Sequence, residues 1–200
     1  MHRYLRAWKQ KGKGEQYKAQ IINYADDFVI VCRKEAHAAL KWTKQVMEKI
    51  GLTLNEKKTC IRNAKQETFD FLGYSFGPER YRKDGHWYLA AKPSKKSIQQ
   101  LKKKVKALFR KGNPTPWEEL QRKLNRSIQG WANYFSYGTR LMAYRAVDNY
   151  VYHTVRKFLL HRHKVQSYGV NRFPDTYVFG ELGVLRLRRV HLGKPVCACT

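Results

Sequence analysis

Two adjacent carboxylates, Asp26 and Asp27, follow Tyr24-Ala25 near the start of a 200-residue chain. They lie between two apolar runs, Ile21-Ile22 before them and Phe28-Val29-Ile30-Val31 after them. That pattern predicts a β-hairpin with the two acids at its turn. Carboxylates presented on a rigid turn can hold Mg2+ for phosphoryl or nucleotidyl transfer, because Mg2+ takes one or two carboxylates plus substrate phosphates. The competing reading is local: Asp tolerates turn geometry and caps its own backbone, so Asp-Asp is also ordinary turn chemistry.

Composition narrows the choice of partner. Lys and Arg number 41 against 15 Asp and Glu, a net charge of +26 with an isoelectric point near 10.1. Self-repulsion of that size destabilises a compact state unless a polyanion offsets it. Nucleic acid is the expected partner, since Lys and Arg neutralise phosphates and release counterions; a membrane surface is the competitor. The apolar fraction of 42% still supports a folded core, and 13 Tyr and 5 Trp offer stacking surfaces for bases. Nine Lys or Arg and no acid fall between Lys92 and Lys111. Lys95, Lys96, Lys102, Lys103, Lys104 and Lys106 are the best phosphate candidates in that run by charge alone, and such contacts position a nucleic acid without reading its sequence.

Several classes are excluded as expectations. No run of eighteen apolar residues predicts a transmembrane helix, and the N-terminus has no apolar signal region. Cys32 and Cys60 sit in strand-like apolar runs and are expected to be buried thiols. Cys197-Ala198-Cys199 has no second ligand pair at zinc spacing. A reducing, intracellular setting, cytoplasmic by default, fits this usage.

The elements that must position these residues fall into two halves. In the first, residues 1–19 are basic, with Tyr4, Leu5 and Trp8 on one face of a short helix, and the hairpin follows at 20–32. Spacing predicts a helix over 34–50, a turn and short strand over 52–62, a strand over 68–76 and another over His86–Ala90, with a polar turn at Arg82–Gly85 between the last two. After Lys92 three helices are expected. The first is N-capped by Ser94, with Ile98, Leu101, Val105 and Leu108 on one face. The second opens with a capping box, Thr115-Pro116-Trp117-Glu118, and carries Leu120, Leu124, Ile128, Trp131 and Phe135. The third runs from about Arg140 to about His161, with Tyr144, Val147, Val151, Val155 and Phe158 buried. Irregular chain follows from Arg162. The fold class expected is α+β, with a β-rich first half and a helical bundle after a boundary near Ala90–Pro93.

Four landmarks, in order, carry a resemblance. Tyr24-Ala25-Asp26-Asp27 resembles the YxDD box of reverse transcriptases, and Gly51-Leu52-Thr53-Leu54-Asn55 with Lys57-Lys58-Thr59 resembles the next palm motif. Phe71-Leu72-Gly73-Tyr74 resembles the primer-grip hairpin. Leu124-Asn125-Arg126 with Gly130-Trp131-Ala132-Asn133-Tyr134-Phe135 resembles the thumb, or maturase domain X, of group II intron reverse transcriptases, and Val165–Leu187 resembles the tail of that family. The resemblance implies a partial right-hand polymerase: the second half of the palm over 1–91, a helical thumb over 92–164 and a basic tail over 165–200. It implies RNA-directed DNA synthesis with Mg2+ on Asp26 and Asp27, Tyr24 near the primer terminus, and Lys58 protonating pyrophosphate. Phe71, Leu72 and Gly73 would then hold the primer, and Arg126 and Asn133 would either reach RNA or only bond neighbouring backbone. Each residue also has a structural alternative: Tyr24 as a strand aromatic, Lys58 as a solvated lysine beside Lys57, and Phe71 and Leu72 as packing.

The front of the chain departs from that pattern. A two-metal site needs a third carboxylate from an earlier palm strand, and no Asp precedes Asp26. The expectation is a truncated polymerase, inactive alone, whose missing N-terminal half would be a partner alongside intron RNA, the template–primer duplex and DNA. No endonuclease module with paired cysteines is visible, so DNA nicking is not expected. The alternatives are a non-catalytic maturase remnant that stabilises folded RNA, and a basic ribosome- or DNA-associated protein in which Asp26 and Asp27 are only a turn.

Overall fold

The apolar runs on either side of Ala25-Asp26 do pair. In the computed structural model, which describes residues 1–81, 83–166 and 170–189, β1 (Ala19–Tyr24) and β2 (Asp27–Cys32) run antiparallel with Tyr24 opposite Asp27. Side chains alternate across the two faces. One face sends Ala19, Ile21, Phe28, Ile30 and Cys32 into a cluster with Tyr4, Trp8 and Tyr17 and with Ala39 and Met47. These come from α1 (His2–Gln10), the chain after the short α2 (Lys13–Gln16), and α3 (Ala36–Lys49). Tyr4 is wholly buried. Thr43 Oγ1 donates to the Ala39 carbonyl at 2.7 Å, so the Tyr4 hydroxyl is the donor in its 2.9 Å bond to Thr43. The other hairpin face leaves Ile22, Tyr24 and Val31 in solvent.

The chain forms two compact units, Met1–Asn63 and Ala64–Thr200. Between 52 and 62 no strand forms. Asn55 instead closes a turn, its carbonyl accepting the amides of Lys58 and Thr59 and the Thr59 hydroxyl. Without a paired strand there, Cys60 is exposed rather than buried, and Cys32 is half-buried.

The second unit begins with the apolar run 69–76. It is two strands, not one: β3 (Phe69–Phe71) and β4 (Tyr74–Arg80) fold back at Leu72-Gly73. Both turn residues have positive φ, 49° and 78°, as a two-residue turn matched to strand twist requires. β5 (Trp87–Pro93) completes the sheet in the order β3-β4-β5 and reaches three residues beyond the expected end. Only Ser94 separates it from α4 (Lys95–Leu108), and Ser94 Oγ caps that helix by accepting the Ser97 amide at 3.2 Å. The expected change of character near Ala90–Pro93 therefore lies inside this unit.

α4, α5 (Trp117–Tyr134) and α6 (Leu141–Arg162) share one core built from the stripes their spacing indicates, including Leu101, Val105, Leu124, Ile128, Val147, Val151 and Val155. The capping box does not form. Pro116 is the N-cap, without a side-chain bond, and Asn113 organises the preceding loop by accepting the Thr115 amide and donating to the Leu108 carbonyl.

The tail is more ordered than its composition suggests. It makes a π-helical turn at Tyr177–Glu181 and a 3-10 turn at Leu187–Arg189. Asp148, 2% exposed on α6, accepts the amides of Leu187 (2.8 Å) and Arg188 (3.2 Å) and the Arg188 Nε at 3.1 Å. Asn125 on α5 holds the same segment from the other side, donating to the Gly183 carbonyl and accepting the Leu185 amide. Arg82, Gly169 and Cys197-Ala198-Cys199 lie outside the described residues. Among the described residues no helix is long and apolar enough to cross a membrane.

Two stability predictions follow from these buried polar groups. Asp148→Ala strands two amides and a guanidinium, so denaturant unfolding should show a loss of about 3 kcal/mol, with Asp148→Asn between it and wild type. Burial pushes the Tyr4 hydroxyl up to about 12 from 10.0. A raised folded-state value means this contribution is intact below pH 10 and is lost as pH climbs through 12. Melting followed against pH should show that alkaline loss in wild type and a weaker one in Tyr4→Phe.

Candidate metal turn and nucleic-acid groove

Tight pairing up to Tyr24 and Asp27 leaves Ala25 and Asp26 as the whole of the first turn. Ala25 carries a positive φ of 50° and Asp26 does not, the arrangement of a type II′ turn with a side chain where glycine is usual. That geometry costs roughly 1 kcal/mol and holds both acids at the hairpin tip. Asp27 shares the outward face with Tyr24, which is 65% exposed. Asp26 and Asp27 are both exposed, and neither side chain forms a hydrogen bond or ion pair among the described residues. Other acids of the chain do pair: Glu79 with Lys92, Glu119 with Lys123, Asp175 with Arg186.

Two adjacent free carboxylates fit one Mg2+ completed by substrate phosphates. A metal pair needs more, and among the described residues no group of three or more His, Cys, Asp or Glu side chains converges. Lys58 is exposed on its own turn, in the same unit as the carboxylates.

In the second unit the predicted residues sort by geometry. Gly73, Lys104 and Arg126 line one pocket of about 510 Å³ between the β3–β4 turn, α4 and α5. Phe71 and Leu72 do not line it. Their turn is docked onto the helices: the Tyr134 hydroxyl donates to the Leu72 carbonyl at 2.7 Å, the Ser94 amide donates to the Gly73 carbonyl at 2.8 Å, and the Tyr74 hydroxyl donates to the Tyr134 carbonyl at 2.8 Å. The lysine run is not one patch, because successive helical residues turn by about 100°. Lys104 faces the pocket, and half-buried Lys102 lies over the Tyr150 ring with its Nζ 5.1 Å from the centroid. Lys95, Lys96, Lys103 and Lys106 stay exposed. Asn133 accepts from Gln129 on its own helix.

Sequence reading passed over Gly130, Trp131 and Tyr134 as contributors to this pocket. Trp131 belongs to the core stripe, yet its indole N–H is buried with no acceptor among the described residues. The available signal was Gly130 itself, a glycine in the middle of an otherwise strong helix.

Comparison with known families finds two matches. Residues 1–76 match the reverse transcriptase (RNA-dependent DNA polymerase) family, and residues 98–173 match the group II intron, maturase-specific domain. A search of curated proteins returns no match.

Strain at the first turn is measurable. Ala25→Gly should slow hydrogen exchange of the Tyr24 and Asp27 amides, the bonded pair that closes the turn, a few-fold, about 0.5–1 kcal/mol, by relieving the positive φ; unchanged or faster exchange would show that Ala25 is not strained.

Proposed function

This chain belongs to the group II intron reverse transcriptase/maturase family, and we propose that it works on RNA through both of its units. In this reading residues 1–91 are the later part of a polymerase palm, 92–164 the thumb or domain X, and 165–200 its basic tail. The second unit binds intron RNA and the template–primer duplex. The first presents Asp26 and Asp27 for Mg2+-dependent synthesis of DNA on an RNA template.

The observation that carries the RNA reading is the distribution of charge on α4. Its apolar stripe is buried, and Lys95, Lys96, Lys103 and Lys106 stand exposed on the remaining faces with no acid on the helix. A surface of one sign, in a chain of net charge +26, is an electrostatic footprint for phosphates.

For the polymerase reading, Asp26 at the turn tip is the direct metal ligand and Asp27 beside it the second. Mg2+ held there would lower the pKa of a primer 3′-hydroxyl and offset charge on the phosphates. Tyr24, exposed on the same face as Asp27, offers its ring to the terminal base, and Lys58 is the proton donor to pyrophosphate. A third carboxylate would come from outside the described residues. Without one, the chain acts as a maturase module that stabilises folded RNA and does not polymerise.

Primer extension on an RNA template with Mg2+ separates these readings, run with and without an added polypeptide bearing an earlier palm strand and its carboxylate. Asp26→Ala should abolish any extension and leave RNA affinity unchanged; extension that survives it removes the metal assignment. Lys103→Glu should weaken RNA binding regardless of sequence and flatten the log–log salt slope by about 1. Unchanged affinity would remove α4 from the interface.

A further inference from the structure

Gly130 occupies the interior of α5, where glycine destabilises a helix relative to alanine. Nothing among the described residues requires it. Its φ is not positive, and a Cβ added there would meet no heavy atom within 4 Å. A helix glycine with neither a backbone reason nor a packing reason keeps space for something outside the chain. That space opens into the pocket lined by Lys104 and Arg126.

We propose that this pocket seats one unpaired nucleotide of the bound RNA. The inference rests on the RNA-binding reading above and specifies what the groove selects. The volume, about 510 Å³, suits a single nucleotide held in a concave site. Lys104 and Arg126 enter from different helices, so a phosphate can be held between two cations. Tyr134 supplies the platform: its ring is 55% exposed, and its hydroxyl is tied to the Leu72 carbonyl, so the ring is oriented before a base arrives. Proteins that recognise RNA specifically take splayed, unpaired bases onto aromatic rings, whereas a base inside a duplex has both faces covered by its neighbours.

The test compares the full chain's affinity for a fully paired RNA hairpin and for the same hairpin with one bulged nucleotide. Wild type should bind the bulged RNA about tenfold more tightly, the scale of one base–aromatic stack. Gly130→Leu fills the pocket with a better helix former, so thermal stability should hold or rise while the bulged-to-paired ratio falls to one. Lys103→Glu, outside the pocket, should weaken both RNAs and leave the ratio as in wild type. No bulge preference in wild type, or a preference that survives Gly130→Leu, overturns the proposal. Equal weakening of both RNAs by Gly130→Leu also overturns it, since that marks the glycine as a track for duplex backbone. Failure to bind either RNA rejects the RNA-binding reading itself, a result distinct from losing the ratio.

Discussion

A chain with 41 cationic and 15 anionic side chains must keep its positive charge at the surface or offset it inside. Most of the structure follows from that constraint. The helices put apolar stripes inward and lysines outward, and the ion pairs at Glu79, Glu119 and Asp175 are partly exposed, a class that contributes at most about 1 kcal/mol each. The exception is Asp148, the one acid buried among the described residues. Its carboxylate accepts two amides and a guanidinium nitrogen from the tail, satisfying donors that would otherwise be stranded against α6. That bond lets a strongly basic tail lie against the helices and brings Val184 and Leu187 into their core.

The two hairpin turns share one device, a non-glycine residue at positive φ, which serves different ends. Each has two residues, and each places a non-glycine side chain at positive φ, Ala25 in one and Leu72 in the other. At the second turn the carbonyls of Leu72 and Gly73 are taken up by Tyr134 and Ser94, so the strain is held by docking. At the first, the carboxylates have no internal partner among the described residues. Strain that is compensated inside the unit reads as packing.

Much of this was legible in residue order. The apolar runs on either side of Tyr24–Asp27 predicted the hairpin, and steps of three and four predicted the buried stripes of α4, α5 and α6, because both depend on neighbours a few residues apart. The capping box failed because Asn113 Oδ1 already accepts the Thr115 amide, the N–H that Glu118 would accept in such a box. The strand expected near Cys60 failed because a strand needs a partner, and a local pattern cannot supply one. The single strand read over 68–76 failed because a Leu-Gly turn inside an apolar run looks continuous, although the resemblance of Phe71–Tyr74 to a primer-grip hairpin already implied the fold-back.

By itself, the sequence determined the hairpin with its acid pair, the helical stripes, the sign and size of the charge, and the ordered motifs of the family. Tertiary structure alone decided which lysines of one run face the groove, that Leu72 is docked while Gly73 is open to the pocket, that Asp148 anchors residues 39 and 40 positions away, and that the space above Gly130 is empty. The physical reason is range. Periodicity and turn chemistry act over a few neighbouring residues, whereas a buried acceptor's partners and an unfilled volume exist only once distant segments have packed.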